Sequence, residues 1–453
     1  MKKKNNITTP RNESERLIYA LDIGTSKLRM AAGYVDSSKQ IKLKGYLERP
    51  SVGIAQGCIS DMQQVANNIA LIVQDFQNKF NCVVKDVVTE VPGWLIQAEN
   101  QQGTYTVASG TVTINDRNQA IKNAIAGVKF NTTDYDIIHA HPKKYQTESA
   151  ERIENPIGIY ARRLDVNVHV IGCNYMYKKN VDKAICMTSP NIRVNSVVYV
   201  GNAASAAVLS SGERDIGVVQ IDLGDSTSSV TVFEGDSQLI SFGINGGGSY
   251  ITRNIAKEFS LPIEDAENLK IHCGVASPDY LNPQDLVSPI TIQGNAQNGD
   301  SKEIQYGALA YVIQQSLIMM FDRFLERINT IGKQSYKSLE IGGGFVLTGG
   351  LANLPGIDRV LIERIELFKQ NPAYDFLTCT PKVRLGVPSG VAIFEDACDP
   401  KVIANPDKAV VIGLMRAACF DTLHEYTGQS VTASEEPRTM WAKIVDWYNR
   451  EVK

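Results

Sequence analysis

At 453 residues, 43% of them hydrophobic and 21% charged, the chain has material for about two to four folding units with sizeable cores. A formal net charge of −3 supplies no chain-wide field for a polyanion, so no nucleic-acid partner is expected. No apolar run reaches the roughly 18 residues that a membrane-spanning helix needs, and eight cysteines without CxxC or CxxH spacing suit buried, reduced thiols of the cytosol.

Residues 1–16 have a basic start but no apolar stretch for secretion, and read as a disordered arm. From Leu21, LDIGTSKLRMAAGYVD reads as a strand, a tight turn and a returning strand. A helix follows through 61–80, with Val65, Ile69, Ile72, Val73 and Phe76 on one face. Residues 84–166 change to strands around one helical stretch and read as an inserted α+β subdomain; NVHVIGCN then returns to a buried strand, and two helical stretches follow. A second hairpin, IDLGDSTSSVTVFEGD, opens at Ile221, a helical insert spans 246–333, and GGGFVLTGGLANLPGI leads to apolar segments ending near 421. After a polar linker, 422–439, comes MWAKIVDWYNREVK.

The two hairpins repeat one phrase. Asp22 and Gly24 in the first answer to Asp222 and Gly224 in the second, each with hydroxyl residues behind. An Asp ending a buried strand can hold a metal or its water, and Gly with Ser or Thr lets backbone N–H groups close around phosphate oxygens. The third element is Thr348 followed by Gly349 and Gly350, a turn flat enough for a planar ligand to lie against. At the C-terminus, Trp441, Ile444, Val445, Tyr448 and Val452 share one helical face, with Met440 and Trp447 at its edges. Lys443, Asp446, Asn449, Arg450 and Lys453 take the other side. Aromatic residues with a polar handle and flanking bases suit a helix lying on anionic lipid.

Two such hairpins followed by a Gly-Gly turn, in this order, resemble the actin and sugar-kinase superfamily. The insert and the phrases RIENPIGIYARRLDVNVHVIGCN and GGGSYITRNIAKEFSLPIEDAENLKIHCG narrow the likeness to the FtsA family, actin homologues of bacterial cell division; it covers about Leu17 to Ala418. The resemblance implies an α/β, actin-like fold of two related domains around a nucleotide cleft: 17–83 with 167–214, and 215–245 with 334–421. Residues 84–166 would form an SHS2-type insert, and 440–453 an amphipathic membrane helix. It further implies ATP and Mg2+ as cofactors, the metal near Asp22 and Asp222 through water. Gly24, Thr25, Ser26 and Lys27 would line one side of the phosphates, and Gly224, Ser226 and Thr227 the other, with Gly247 and Gly248 behind. Glu267 and Lys270 would face the ribose, and Gly349 and Gly350 the adenine. The implied partners are the C-terminal peptide of FtsZ, docked on 246–333, further copies in a filament, downstream divisome membrane proteins and anionic lipid. The implied place is the cytoplasmic face of the inner membrane at the septum.

Departures from the family phrase bear on chemistry. Asp225 puts an extra carboxylate near the phosphates, Ser229 and Asn254 stand where Asp is usual, and Val200 occupies a position where related ATPases orient water. A nucleotide-binding scaffold with at most very slow ATP turnover is therefore expected. The alternatives are a PilM-type pilus adaptor and a true ATPase or small-molecule kinase of the superfamily.

Overall fold

The computed structural model describes residues 17–419 apart from 37, 39, 131–133, 190, 293–300, 336–338, 375–376, 380 and 395–396. The arm at 1–16, the linker at 422–439 and the helix expected at 440–453 lie outside the described residues.

Two sheets carry the fold. The first contains β1 (Leu17–Ile23), β2 (Lys27–Val35), β3 (Ile41–Pro50), β4 (Asp86–Val91) and, after the insert, a strand at Arg193–Tyr199. The second contains Val218–Leu223, Thr227–Glu234, Ser237–Asn245, Phe345–Thr348 and Val383–Leu385. In each, a three-stranded meander begins with the hairpin, and a strand parallel to its first member lies on the open side, with a further strand beyond. The order of these five strands is therefore the same in both halves. These central strands are apolar almost throughout because both of their faces are covered, as parallel pairing requires.

Helix α1 (Met62–Phe80) starts where the Asp61 carboxylate accepts the Gln64 N–H at 3.0 Å, and ends at Asn81 in the left-handed region. Its Val65, Ile69, Ile72, Val73 and Phe76 are buried against the first sheet, each contributing about 1.5–3 kcal/mol.

The insert differs in extent from the sequence reading. The strand at 86–91 pairs with β1 and belongs to the first sheet. The insert's own three-stranded sheet is built from β5 (Ile96–Thr106), β6 (Tyr135–Gln146) and β7 (Arg163–Asn174), with β7 central and α2 (Ile114–Ala126) packed on it. The segment NVHVIGCN thus completes the insert instead of returning to the first domain. Its apolar run reflects burial on both faces, which alternation cannot assign to one sheet.

The last described segment does not stay with the second half, where the sequence pattern put 334–421. A strand at Val391–Ile393 pairs in parallel with β3. The last described helix, α9 (Ala409–Cys419), packs on α4 (Val200–Val208) and over β1 and β2, so the described residues from about 390 to 419 return to the first half. Of the cysteines expected to be buried, Cys173 is, while Cys186 is exposed.

The crossing of α4 and α9 is close. A Cβ on Gly413 would lie 1.7 Å from the Ala203 carbonyl oxygen, so only glycine allows the contact. Gly413→Val is expected to destabilise the fold by about 3 kcal/mol, the upper end of overpacking costs, read as a lower urea midpoint. Gly212→Ala, with no neighbour within 4 Å, serves as control; an unchanged midpoint for Gly413→Val would contradict the close crossing.

Candidate functional site

The hairpin turns of the two halves face each other across one cleft of about 390 Å³. All the residues expected at a nucleotide line it except Ser226 and Gly247. The Ser226 hydroxyl donates to Asp225 Oδ2 at 3.0 Å, and Gly247 precedes α5 (Gly248–Phe259). The Gly248 and Ser249 N–H groups donate to the carbonyls of Gly224 and Asp225, which fastens the second turn to the start of α5. Asp225 and Val200 also line the cleft.

On the far side, Glu267 and Lys270 lie on α6 (Ile263–Cys273). Lys270 Nζ donates to Glu267 Oε2 at 2.7 Å and to the Thr252 hydroxyl at 2.9 Å. The pair is therefore both an ion pair anchored to α5 and part of the lining. Gly349 sits at φ +88°, and a Cβ there would meet the Leu223 carbonyl oxygen at 2.3 Å. The apolar wall is completed by Ile271, Leu351 and Leu354.

The strand registers explain which groups surround each Asp. In the second half, Asp222 lies beside Thr348 in the parallel pair, and the Thr348 hydroxyl donates to Asp222 Oδ1 at 2.7 Å. In the first half the same parallel register, Leu21 beside Thr89, brings Glu90 next to Asp22. Glu90 is buried, and its Oε1 accepts the Ile23 N–H at 2.8 Å. Across the antiparallel hairpins, Asp222 faces Ser229 while Asp22 faces Arg29. Arg29 Nη1 donates to Asp22 Oδ2 and Nη2 to Asp407 Oδ2, both at 3.1 Å. Lys408 Nζ bridges Asp407 and Glu48 at 2.8 Å each, and Lys27 Nζ lies 3.1 Å from Glu48.

Arg29, Glu90, Asp407 and the Glu48–Lys408 pair were missed from sequence. The available signal for Arg29 was the tight turn, which places it directly opposite Asp22.

Burial pushes Asp222 up to about 6, against the Thr348 hydroxyl. Burial, with the Asp22 charge beside it, pushes Glu90 up to about 8. Burial also raises Asp22, and the facing Arg29 opposes that rise. For Arg29, burial works against its charge, yet Asp22 and Asp407 push its guanidinium upward. Burial opposes ionisation of Glu48 as well, but hydrogen bonds from Lys408, Tyr46 and Lys27 hold it at about 2.

These donors do not suit a resident metal. Asp22 is engaged by Arg29, Asp222 by Thr348, and the Val200 side chain is apolar. Among the described residues no group of three or more His, Cys, Asp or Glu is placed to hold a metal ion.

Comparison with known proteins assigns the chain. The family description "Cell division protein FtsA" matches residues 219–413, and "SHS2 domain inserted in FTSA" matches residues 93–172. The chain belongs to the FtsA family. It is 28% identical to the cell division protein FtsA of Neisseria meningitidis serogroup B over 408 residues, 90% of this chain and 91% of that one. It is also 28% identical to the cell division protein FtsA of Buchnera aphidicola subsp. Schizaphis graminum, over 97% and 99% of the two chains. Among solved structures it resembles the PilM–PilN type IV pilus biogenesis complex, with a TM-score of 0.58 and 17% identity over 90% of this chain and 99% of that one. That likeness concerns the fold, which is actin-like with an SHS2 insert.

The titrations give a stability signature. Glu90 and Asp222 bind protons more tightly in the folded protein than in the unfolded chain. Their contribution is complete below the ordinary carboxyl range and is lost as pH rises toward about 6 for Asp222 and about 8 for Glu90. The ligand-free protein is expected to lose on the order of 5 kcal/mol between pH 5 and 8.5, read as a falling melting midpoint. Glu90→Gln should flatten the upper part of that decline; an unchanged slope would mean that Glu90 does not contribute to it.

Proposed function

We propose that the cleft binds ATP and that the chain is a division scaffold, polymerising on the inner membrane and tethering the FtsZ ring while recruiting downstream divisome proteins. The observation that carries the ATP reading is the facing of two like hairpins across one cleft, with the Gly349–Gly350 turn beside it. Backbone donors and hydroxyls stand where a polyphosphate would lie, and the wall of Ile271, Leu351 and Leu354 suits a purine. Magnesium would enter on the phosphates, since the cleft does not suit a resident ion.

Turnover is expected to be very slow. Val200 cannot orient water, and Glu90, a buried carboxyl beside Asp22 in the cleft, holds its proton near neutrality and so is a poor base. Glu90 is also the feature that favours a second reading, a true ATPase. Steady-state phosphate release separates the two: the scaffold reading expects far less than the roughly 1 per second of slower ordinary enzymes, and release at or above that rate would favour the ATPase.

The FtsZ peptide is proposed to dock on 246–333. There Arg253 and Lys257 on α5, Lys302, and Arg323 and Arg327 on α7 (Tyr306–Ser335) are all exposed, a basic set suited to an acidic peptide. Membrane attachment is proposed to rest on Met440–Lys453. Deleting those residues should leave a soluble body that no longer pellets with anionic vesicles, since about five apolar side chains at roughly 1 kcal/mol or more each supply the binding. Undiminished pelleting of the truncated chain would reject the tail as the anchor.

A further inference from the structure

We propose that Arg29 is the built-in counter-ion of the first phosphate hairpin, so that ATP enters this cleft with little dependence on magnesium. The proposal rests on the ATP reading above. An unpaired Asp facing a polyphosphate needs a cation between them. Here the fold supplies one. Arg29 lies directly opposite Asp22 in the hairpin register, so the pairing follows from the turn and does not depend on a chance rotamer. Its side chain is only 12% exposed and is held at 3.1 Å by both Asp22 and Asp407.

The surrounding charges close on themselves. Lys27, Arg29 and Lys408 are matched by Asp22, Glu48 and Asp407 through contacts of 2.8–3.6 Å. No carboxylate of this cluster is left for a divalent ion to neutralise. A metal approaching Asp22 would instead meet a fixed guanidinium of its own sign in a poorly solvated place.

Arg29 also lines the cleft beside Gly24 and Lys27. Its planar fork of N–H donors matches carboxylate and phosphate oxygens alike. The second hairpin offers no equivalent, because Ser229 takes the place opposite Asp222 and Asp225 adds negative charge. The first hairpin therefore carries its own counter-charge to its Asp, and the second does not.

The test is titration of a fluorescent ATP analogue into the full chain, in magnesium and in EDTA, for the wild type, Arg29→Met and Arg29→Lys. The wild type should change by less than about threefold on chelation. Arg29→Met should weaken by more than about tenfold in EDTA, a factor worth 1.4 kcal/mol, and regain most of it with magnesium. Arg29→Lys, keeping charge but not the fork, should fall between. A wild type that loses about tenfold or more in EDTA overturns the inference while leaving the ATP reading intact, and this arm needs no variant to fold. Arg29→Met binding like the wild type in EDTA also overturns it. Absence of binding by the wild type in both buffers removes the ATP reading itself.

Discussion

Burying Asp22 at the end of a central strand sets the terms for the first half of the molecule. A buried carboxylate left without a partner costs several kcal/mol, and breaking such a pair typically costs about 3–5 kcal/mol. Arg29 answers the charge across the hairpin, and Asp407 answers Arg29 in turn. Asp407 stands just ahead of α9, and Lys408 beside it reaches Glu48 on β3. The ion cluster thus joins the N-terminal meander to a segment 378 residues away in sequence. Apolar packing of α9 on α4 supplies most of the area, while the ions fix where that helix begins.

The insert is fastened to both halves. From its side, Asn100 Nδ2 donates to the Leu239 carbonyl at 3.0 Å, and His169 Nε2 lies 2.9 Å from Ser241 Oγ. On the first half, the Tyr199 N–H donates to His139 Nε2 at 3.0 Å, and the Tyr199 hydroxyl donates to the Val230 and Phe242 carbonyls at 2.9 Å. Burial pushes His139 down to about 3, so it stays a neutral acceptor across the physiological range. A change of angle between the halves would have to disturb these bonds, and the insert is placed to register it.

Much of the site was legible because its signals are local. Asp, Gly and hydroxyl residues within one turn announce each hairpin, and the 3.6-residue pattern announces α1. The partners of Asp22 were not local in that sense. Glu90 comes beside it only through a parallel pairing, and Asp407 only through the return of the chain end. The insert's edges were misplaced for a related reason: the strands at 86–91 and 163–174 are largely buried on both faces, and composition cannot say which sheet a doubly buried strand joins. The same holds for 391–393, whose apolar residues fit the edge of either half. The Glu267–Lys270 spacing did place both groups correctly on one face of α6.

The central claim is that one ligand is held between two like hairpins. Hydrogen exchange on the full chain with and without ATP tests it most directly. The account predicts slowed exchange together at 22–29, 222–229 and 348–354. Protection at only one hairpin, or at neither while ATP is bound, would contradict it.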